Sequence, residues 1–258
     1  MDFSGGLADR IFKTLTFLCQ LPASRYIIRQ VERRKDTVNP DDDKYVALTF
    51  DDGPDIHTDR LLDILRENDS RATFFLTGNK LDSHKDVAAR YIKEGHDVGN
   101  HLFSHTPLPK LSSSDINEEI EETDRIFKEV TSQSMSFIRA PHGEYPEESK
   151  KAARMLEKPL VGWNVDTYDY IYKMGEMVEH RLLNKVNDGS IVLLHDTHES
   201  TVDAIEKCLP KLKEQGFRFV NLSTLFTKSS KTVSANHLYS SVDDFIEFNE
   251  PQPGTVRE

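Results

Sequence analysis

The chain has 258 residues and a formal net charge of −11, which argues against nucleic acid and anionic membrane surfaces as partners and suits a neutral polymer or one that becomes cationic. The length fits one large α/β domain or two small ones, of which one domain is the preferred reading, and no repeat of solenoid period is visible. Two cysteines, Cys19 and Cys208, give neither a disulfide framework nor a metal-ligand spacing, so redox compartment stays open.

Residues 11–19 are apolar but carry Lys13, follow Asp9 and Arg10, and lack a clean cleavage site. They make a poor signal peptide, are too short to span a bilayer, and read as an amphipathic helix packed on the domain. A basic-then-acidic stretch leads through Asn39, Pro40 and Asp41 to Asp43 into the first strand. Strand-like runs follow at 45–50, 71–76, 97–100, 137–140, 160–165, 190–195 and 218–222, separated by segments of helical period. Ile116, Ile120, Phe127 and Val130 mark one such helix, and Val202, Ile205, Leu209 and Leu212 another, which Pro210 should kink or divide. Gly95 and Gly216 stand where a helix ends and the next strand begins. Apolar strands alternating with amphipathic helices predict a parallel sheet covered by helices, and right-handed crossovers close it toward a distorted (β/α) barrel of one domain; an open doubly wound sheet is the alternative. The expected organisation is an N-terminal segment over 1–38, the domain over 39–226, and a peripheral tail without chemistry over 227–258.

The polar residues follow the strands. Asp51 and Asp52 come after the first, His101 and His105 after the third, Arg139 in the end of the fourth, Asp166 after the fifth, and His195 at the end of the sixth. All lie at C-terminal strand ends, the face on which a parallel barrel builds its site. Neighbouring aspartates leaving a strand tip point in different directions, so one can bind a metal and the other move a proton. His101 and His105 are four apart, which within one helical turn sets two imidazoles on one side; with one Asp they form a His₂Asp set with open positions, suited to Zn²⁺ but also to Co²⁺, Ni²⁺ or Mn²⁺.

With these blocks in order, 49–54 (TFDDGP), 101–105 (HxxxH), 139–143 (RxPxG), 166–170 (close to DxxDW) and 193–196 (LxHD), the sequence resembles the polysaccharide deacetylases of carbohydrate esterase family 4, which share the NodB homology domain. The likeness runs over about 39–226. It implies a metal-dependent hydrolase that removes acetyl groups from N-acetylated sugars of chitin, peptidoglycan or a related glycan, and an extracellular or cell-envelope setting, although no clear signal peptide is present. By the same resemblance Asp52, His101 and His105 hold one divalent metal, most readily zinc. Asp51 is the general base with Arg139 beside it, His195 the general acid, and Asp166 the carboxylate that orients His195. The backbone N–H of His142 faces the oxyanion, Leu193 lines the acetyl pocket, and Tyr145 and Tyr170 belong to the substrate-binding set.

Three positions depart from the family pattern. Leu102 stands where Ser or Thr is usual, Tyr170 where Trp is usual, and His142 in place of the frequent Tyr. Leu102 lacks a hydroxyl that would brace the metal loop. His198 and Glu199 read as a solvated helix start. Two other readings stay open: a catalytically silent relative that binds glycan through the same groove, and an O-acetyl esterase of the acetylxylan type on the same scaffold.

Overall fold

The computed structural model describes residues 43–81, 83–230, 233–235, 237–243 and 245–247. The N-terminal helix expected at 11–19, the whole segment 1–38 and Cys19 lie outside them. The strands are β1 (Lys44–Gly53), β2 (Thr73–Leu76), β3 (Asp97–Asn100), β4 (Phe137–Ile138), β5 (Leu160–Val161), β6 (Val165–Asp166), β7 (Ile191–His195), β8 (Phe217–Phe219), β9 (His237–Tyr239) and β10 (Phe245–Glu247). Between them run α1 (Thr58–Glu67), α2 (Gly78–Leu81), α3 (Lys85–Lys93), α4 (Ser113–Thr131), α5 (Glu147–Met155), α6 (Asp169–Tyr172), α7 (Gly175–Lys185), α8 (Glu199–Glu214) and α9 (Leu222–Lys228).

The sheet order is β10-β9-β5-β4-β3-β2-β1-β7-β6, with β8 also pairing β1. Every pairing is parallel except that of β9 with β10. The result is a curled, incompletely closed barrel with helices around it, the class the sequence predicts. The expected run 160–165 is split into β5 and β6, which lie at different places in the sheet.

Period-two alternation decides which side of the sheet each residue serves. Val46, Leu48 and Phe50 of β1 turn toward the helices, where they pack with Phe74, Leu76, Val192 and Leu194 and with Leu61, Leu65, Ile205 and Leu209. Ala47 turns the other way, into a second cluster with Phe75, Ile191 and Phe226. Thr49 and Asp51 share the parity of Ala47, and Leu193 and His195 that of Ile191, so these side chains are delivered to the concave side. Each fully buried Leu or Phe in these clusters contributes about 1.5–3 kcal/mol by leaving water, and that supports the burial of the polar groups among them.

α4 begins with a capping box between Ser112 and Asp115, and its buried stripe contains Ile116, Ile120 and Phe127. α8 runs unbroken over Pro210. The proline faces solvent while Cys208, Leu209 and Leu212 hold the buried side, so water can take the carbonyl left without its helical N–H. Gly95 (φ +79°) and Gly216 (φ +88°) release the chain from α3 and α8 into β3 and β8 as expected. The segment after Phe226, expected as a peripheral tail, instead adds β9 to the sheet beside β5. Its Tyr239 is buried, 5.0 Å from the Phe226 ring; three residues with one inward aromatic are too short a signal to read as a strand.

Candidate active site

The end of β1 is irregular where the two aspartates stand. Asp51 pairs with Phe75 and Gly53 with Leu76, so Asp52 is an extra residue in the ladder. Its φ is 69°, a left-handed conformation that a non-glycine residue adopts only when its surroundings impose it. This bulge corrects the expectation that neighbouring aspartates diverge. One inserted residue turns Asp52 back, so that both carboxylates line one pocket. Lys80, just before the end of α2, helps fix the bulge: its ammonium donates to the Asp52 carbonyl (2.8 Å) and to Asp55 Oδ2 (2.9 Å).

His101 and His105 do come together, with ring centroids 5.0 Å apart, but not through a helical turn. They sit in the loop after β3, where Leu102 (φ 65°) and His105 (φ 59°) are both left-handed. That loop is braced without a hydroxyl at position 102. The Leu102 N–H donates to Asn100 Oδ1 (2.9 Å), while the Asn100 amide donates to the Ile120 carbonyl and Asp124. The first N–H groups of α2, at Gly78 and Asn79, donate to the carbonyls of Leu102 and Phe103. The Leu102 side chain is fully buried against Leu108, Ile116 and Ile120.

Asp52 Oδ1 lies 3.4 Å from His101 Nε2 and 3.0 Å from His105 Nε2, yet this buried oxygen has no well-formed hydrogen bond. His101 Nδ1 is 2.8 Å from the Arg139 carbonyl, which only accepts, so Nδ1 carries a proton and, in the neutral ring, Nε2 presents a lone pair to Asp52. Burial by itself would raise the Asp52 carboxyl; when both facing imidazoles are protonated, their N–H bonds and charge outweigh burial and hold it well below the usual range, and when the rings are neutral that support is gone. A carboxylate oxygen and an imidazole lone pair facing each other repel unless a positive charge lies between them. The three donor atoms lie within 4.8 Å of one another, and their types and spacing fit a divalent transition cation.

Arg139 is completely buried. Its guanidinium reaches Asp51 Oδ1 and Thr49 Oγ1 (2.7 Å each) and the carbonyls of Val161 (3.0 Å) and Gly162 (2.7 Å), and it stacks 4.1 Å over the Phe75 ring. With Oδ1 thus engaged, Asp51 turns Oδ2 toward the cluster, 3.7 Å from His101 Nε2.

His195 ends β7. The expected partner, Asp166, is not the residue beneath it. Asp169 is: its Oδ1 meets His195 Nδ1 at 2.8 Å, and its Oδ2 accepts from the His195 backbone (2.7 Å) and from Thr201 (2.9 Å). Burial disfavours the imidazolium, but the bond to Asp169 and its charge, then Asp51 and Asp52, outweigh this and push His195 up to about 9. Asp166 instead closes the turn, accepting from the Tyr168 N–H (2.8 Å) and the Tyr170 hydroxyl (3.3 Å). The left-handed Tyr168 (φ 57°) starts α6 there, which carries the second aspartate of the block inward and leaves the first at the rim.

Asp51, Asp52, His101, His105 and His195 line a pocket of about 240 Å³ with Ala140, His142, Gly143, Trp163, Tyr170 and Leu193, while Arg139, Asp166 and Asp169 stand outside its lining. Tyr145, expected in the substrate set, does not line it; its hydroxyl donates to the Val161 carbonyl behind Arg139 (3.0 Å). The sequence reading missed Asp169 and Trp163. The first stood in the same block as Asp166, and the second follows β5 at a C-terminal strand end, the same topological signal as the others. Trp163 also explains Gly143, where φ is +69° and a Cβ would come within 2.6 Å of the indole. A wider hollow of about 670 Å³ runs along the acidic side of α4 and contains no residue of this cluster.

Comparisons with known proteins follow the same line. A family model described as polysaccharide deacetylase matches residues 38–161. A peptidoglycan-N-acetylglucosamine deacetylase of Bacillus cereus is 36% identical over 191 residues, covering 72% of this chain and 70% of that protein. Among solved structures, T48 deacetylase with substrate superimposes with a TM-score of 0.73 at 33% identity, over 79% of this chain and 100% of that one. A pseudoenzyme of carbohydrate esterase family 4 from Bacillus anthracis gives a TM-score of 0.68 at 29% identity, over 77% of this chain and 70% of that one. With fold, ordered blocks and relatives in agreement, the chain belongs to the polysaccharide deacetylase family.

Proposed function

We propose that this protein is a metal-dependent N-deacetylase acting on a GlcNAc-containing glycan such as peptidoglycan or chitin. The observation that carries the reading is that Asp51 and His195 face the same small pocket as the Asp52, His101 and His105 donor set. Asp52, His101 and His105 hold the cation, with zinc the first choice and cobalt, nickel or manganese suited to the same donors. When bound, such an ion supplies Lewis-acid polarisation of the acetyl carbonyl and makes water easier to deprotonate.

Asp51 Oδ2 takes a proton from the water that attacks the acetyl carbon, while Arg139 fixes Oδ1 and so the direction in which Oδ2 points. The backbone N–H of His142 is the donor to the oxyanion. As the C–N bond breaks, His195, oriented through Nδ1 by Asp169, gives its Nε2 proton to the departing amine, and acetate and a free amino sugar are released. Leu193 and Trp163 supply apolar wall around the acetyl methyl.

The likeness to a pseudoenzyme of the same family supports a second reading, a silent glycan-binding relative. The two separate in one assay. Purified protein loaded with Zn²⁺ or Co²⁺ is offered chitooligosaccharides, muropeptides and acetylxylan, and acetate release is followed. Release from an N-acetylated sugar substrate that stops on chelation supports the proposal; release from acetylxylan alone indicates the esterase; glycan binding without acetate release supports the silent relative.

A further inference from the structure

Seven large apolar side chains are exposed among the described residues, and four of them fall within five consecutive positions: Tyr170 at 44%, Ile171 at 57%, Tyr172 at 51% and Met174 at 53%. Isolated exposed apolar residues need no explanation, but a contiguous run does. This run is not a loose loop. α6 is bounded by left-handed Tyr168 and Lys173 (φ 57° and 49°), and the N–H groups of Tyr172 and Lys173 bond back to the carbonyls of Tyr168 and Asp169. Tyr168 is held by the Arg181 guanidinium 5.0 Å from its ring and meets Tyr172 edge-on at 6.5 Å. Asp169, in the same turn, is buried and bonded to His195 and Thr201. The turn that orients His195 therefore also holds an apolar surface rigidly in water.

Tyr170 joins the two regions, since it lines the pocket 5.4 Å from the His195 ring and stands beside Ile171 and Tyr172. At about 240 Å³ the pocket is below the ~300–1,000 Å³ usual for ligand sites, so a polymer whose reacting unit enters it must run its neighbouring units over the rim. A pyranose presents apolar C–H faces edged by hydroxyls, which a rigid aromatic and aliphatic surface bordered by water can match. The net charge of −11 opposes an anionic lipid surface as occupant.

We propose that Ile171, Tyr172 and Met174 form an outer platform on which sugar units adjoining the reacting unit rest, making the protein selective for oligomers over short substrates. This rests on the glycan reading above and names residues that set its length preference. Binding energy from units remote from the reacting bond is what such a platform adds.

The test compares wild type with I171S/Y172S/M174S, three exposed replacements that leave the melting temperature within a few degrees. kcat/KM is measured on β-1,4-linked GlcNAc oligomers of two to six units. On five and six units the variant should lose about 10-fold, chiefly through KM, and the dimer, with a single adjoining unit, several-fold less. An equal loss at all lengths, or no loss, overturns the platform. If wild type deacetylates no length, the proposed activity fails separately, and the platform is read by titrating the five-unit oligomer into both proteins while following Trp163 fluorescence. Weaker binding by the variant upholds it. Equal binding, or none by wild type, overturns it, as does loss of binding to vesicles of phosphatidylcholine with one-fifth phosphatidylglycerol in a variant whose sugar binding is unchanged.

Discussion

At the scale of single residues, the proposed division of labour between Asp51 and Asp52 rests on what each carboxylate touches. Asp51 is bound by Arg139, and Asp52 faces two imidazoles. Asp51→Asn is expected to cost about 10²–10⁴-fold in kcat while leaving metal content near wild type. Asp52→Asn should lose the metal, and elemental analysis of both variants distinguishes the two outcomes. His195 gives a second prediction. As the proposed general acid it must be protonated to act, so with His195 at about 9 the activity should fall as pH rises through that value. Asp169→Asn removes the charge that favours the imidazolium and should move the fall to lower pH with a large loss of kcat. Asp166→Asn, which loosens only the turn and Tyr170, should leave the limb in place. A pH profile of kcat/KM for the three proteins settles the assignment.

Among the elements, the loop after β3 shows how a missing group can be replaced. The missing hydroxyl at position 102 predicts weaker metal binding with partial recovery in Leu102→Thr, unless Leu102 is a packed apolar residue whose replacement buries an unpaired hydroxyl. Asn100 and the N-terminus of α2 already hold the loop backbone, and Leu102 is a packed core residue. Leu102→Thr is therefore expected to lower stability by about 1–3 kcal/mol by burying a hydroxyl without a partner, with no gain in Zn²⁺ affinity. Urea unfolding and calorimetric titration read the two quantities, and tighter binding in the variant would refute the account.

For the molecule as a whole, acid stability has an identifiable source away from the site. His96 is buried under β2, accepts a hydrogen bond at Nδ1 from the Ala72 N–H (3.1 Å), and leaves Nε2 without a partner. Burial, then Arg71 and Arg90, push it down to about 4. The unfolded chain takes up this proton near 6.5 and the folded one only near 4. The contribution is thus complete above pH 6.5 and is lost as pH falls toward 4, by roughly 3 kcal/mol at 1.36 kcal/mol per pH unit. Unfolding midpoints measured from pH 7 to pH 4 should drop for wild type and drop less for His96→Gln, which keeps an acceptor and cannot be protonated there. The proposed cation would act on the whole chain too: at a free concentration of 100 Kd it should stabilise the fold by about 2.7 kcal/mol, an increment that chelator removes.

The sequence alone determined the βα alternation, the parallel sheet and the strand ends at which the polar residues gather. These follow from local periodicity and from a topology that sends the C-terminal ends of parallel strands to one face. It also carried the resemblance, because ordered blocks survive where contacts are unknown. Only the tertiary structure decided that Asp52 is a bulged residue turned back beside Asp51, since a bulge exists only relative to a neighbouring strand. Likewise two aspartates three positions apart are equivalent in a string, and the left-handed Tyr168 between them is what sends Asp169 inward beneath His195 and leaves Asp166 at the rim. Trp163 and β9 were hidden for the same reason. Their places depend on Gly143, Phe226 and β5, partners 20, 13 and about 78 residues away along the chain, which folding brings within contact.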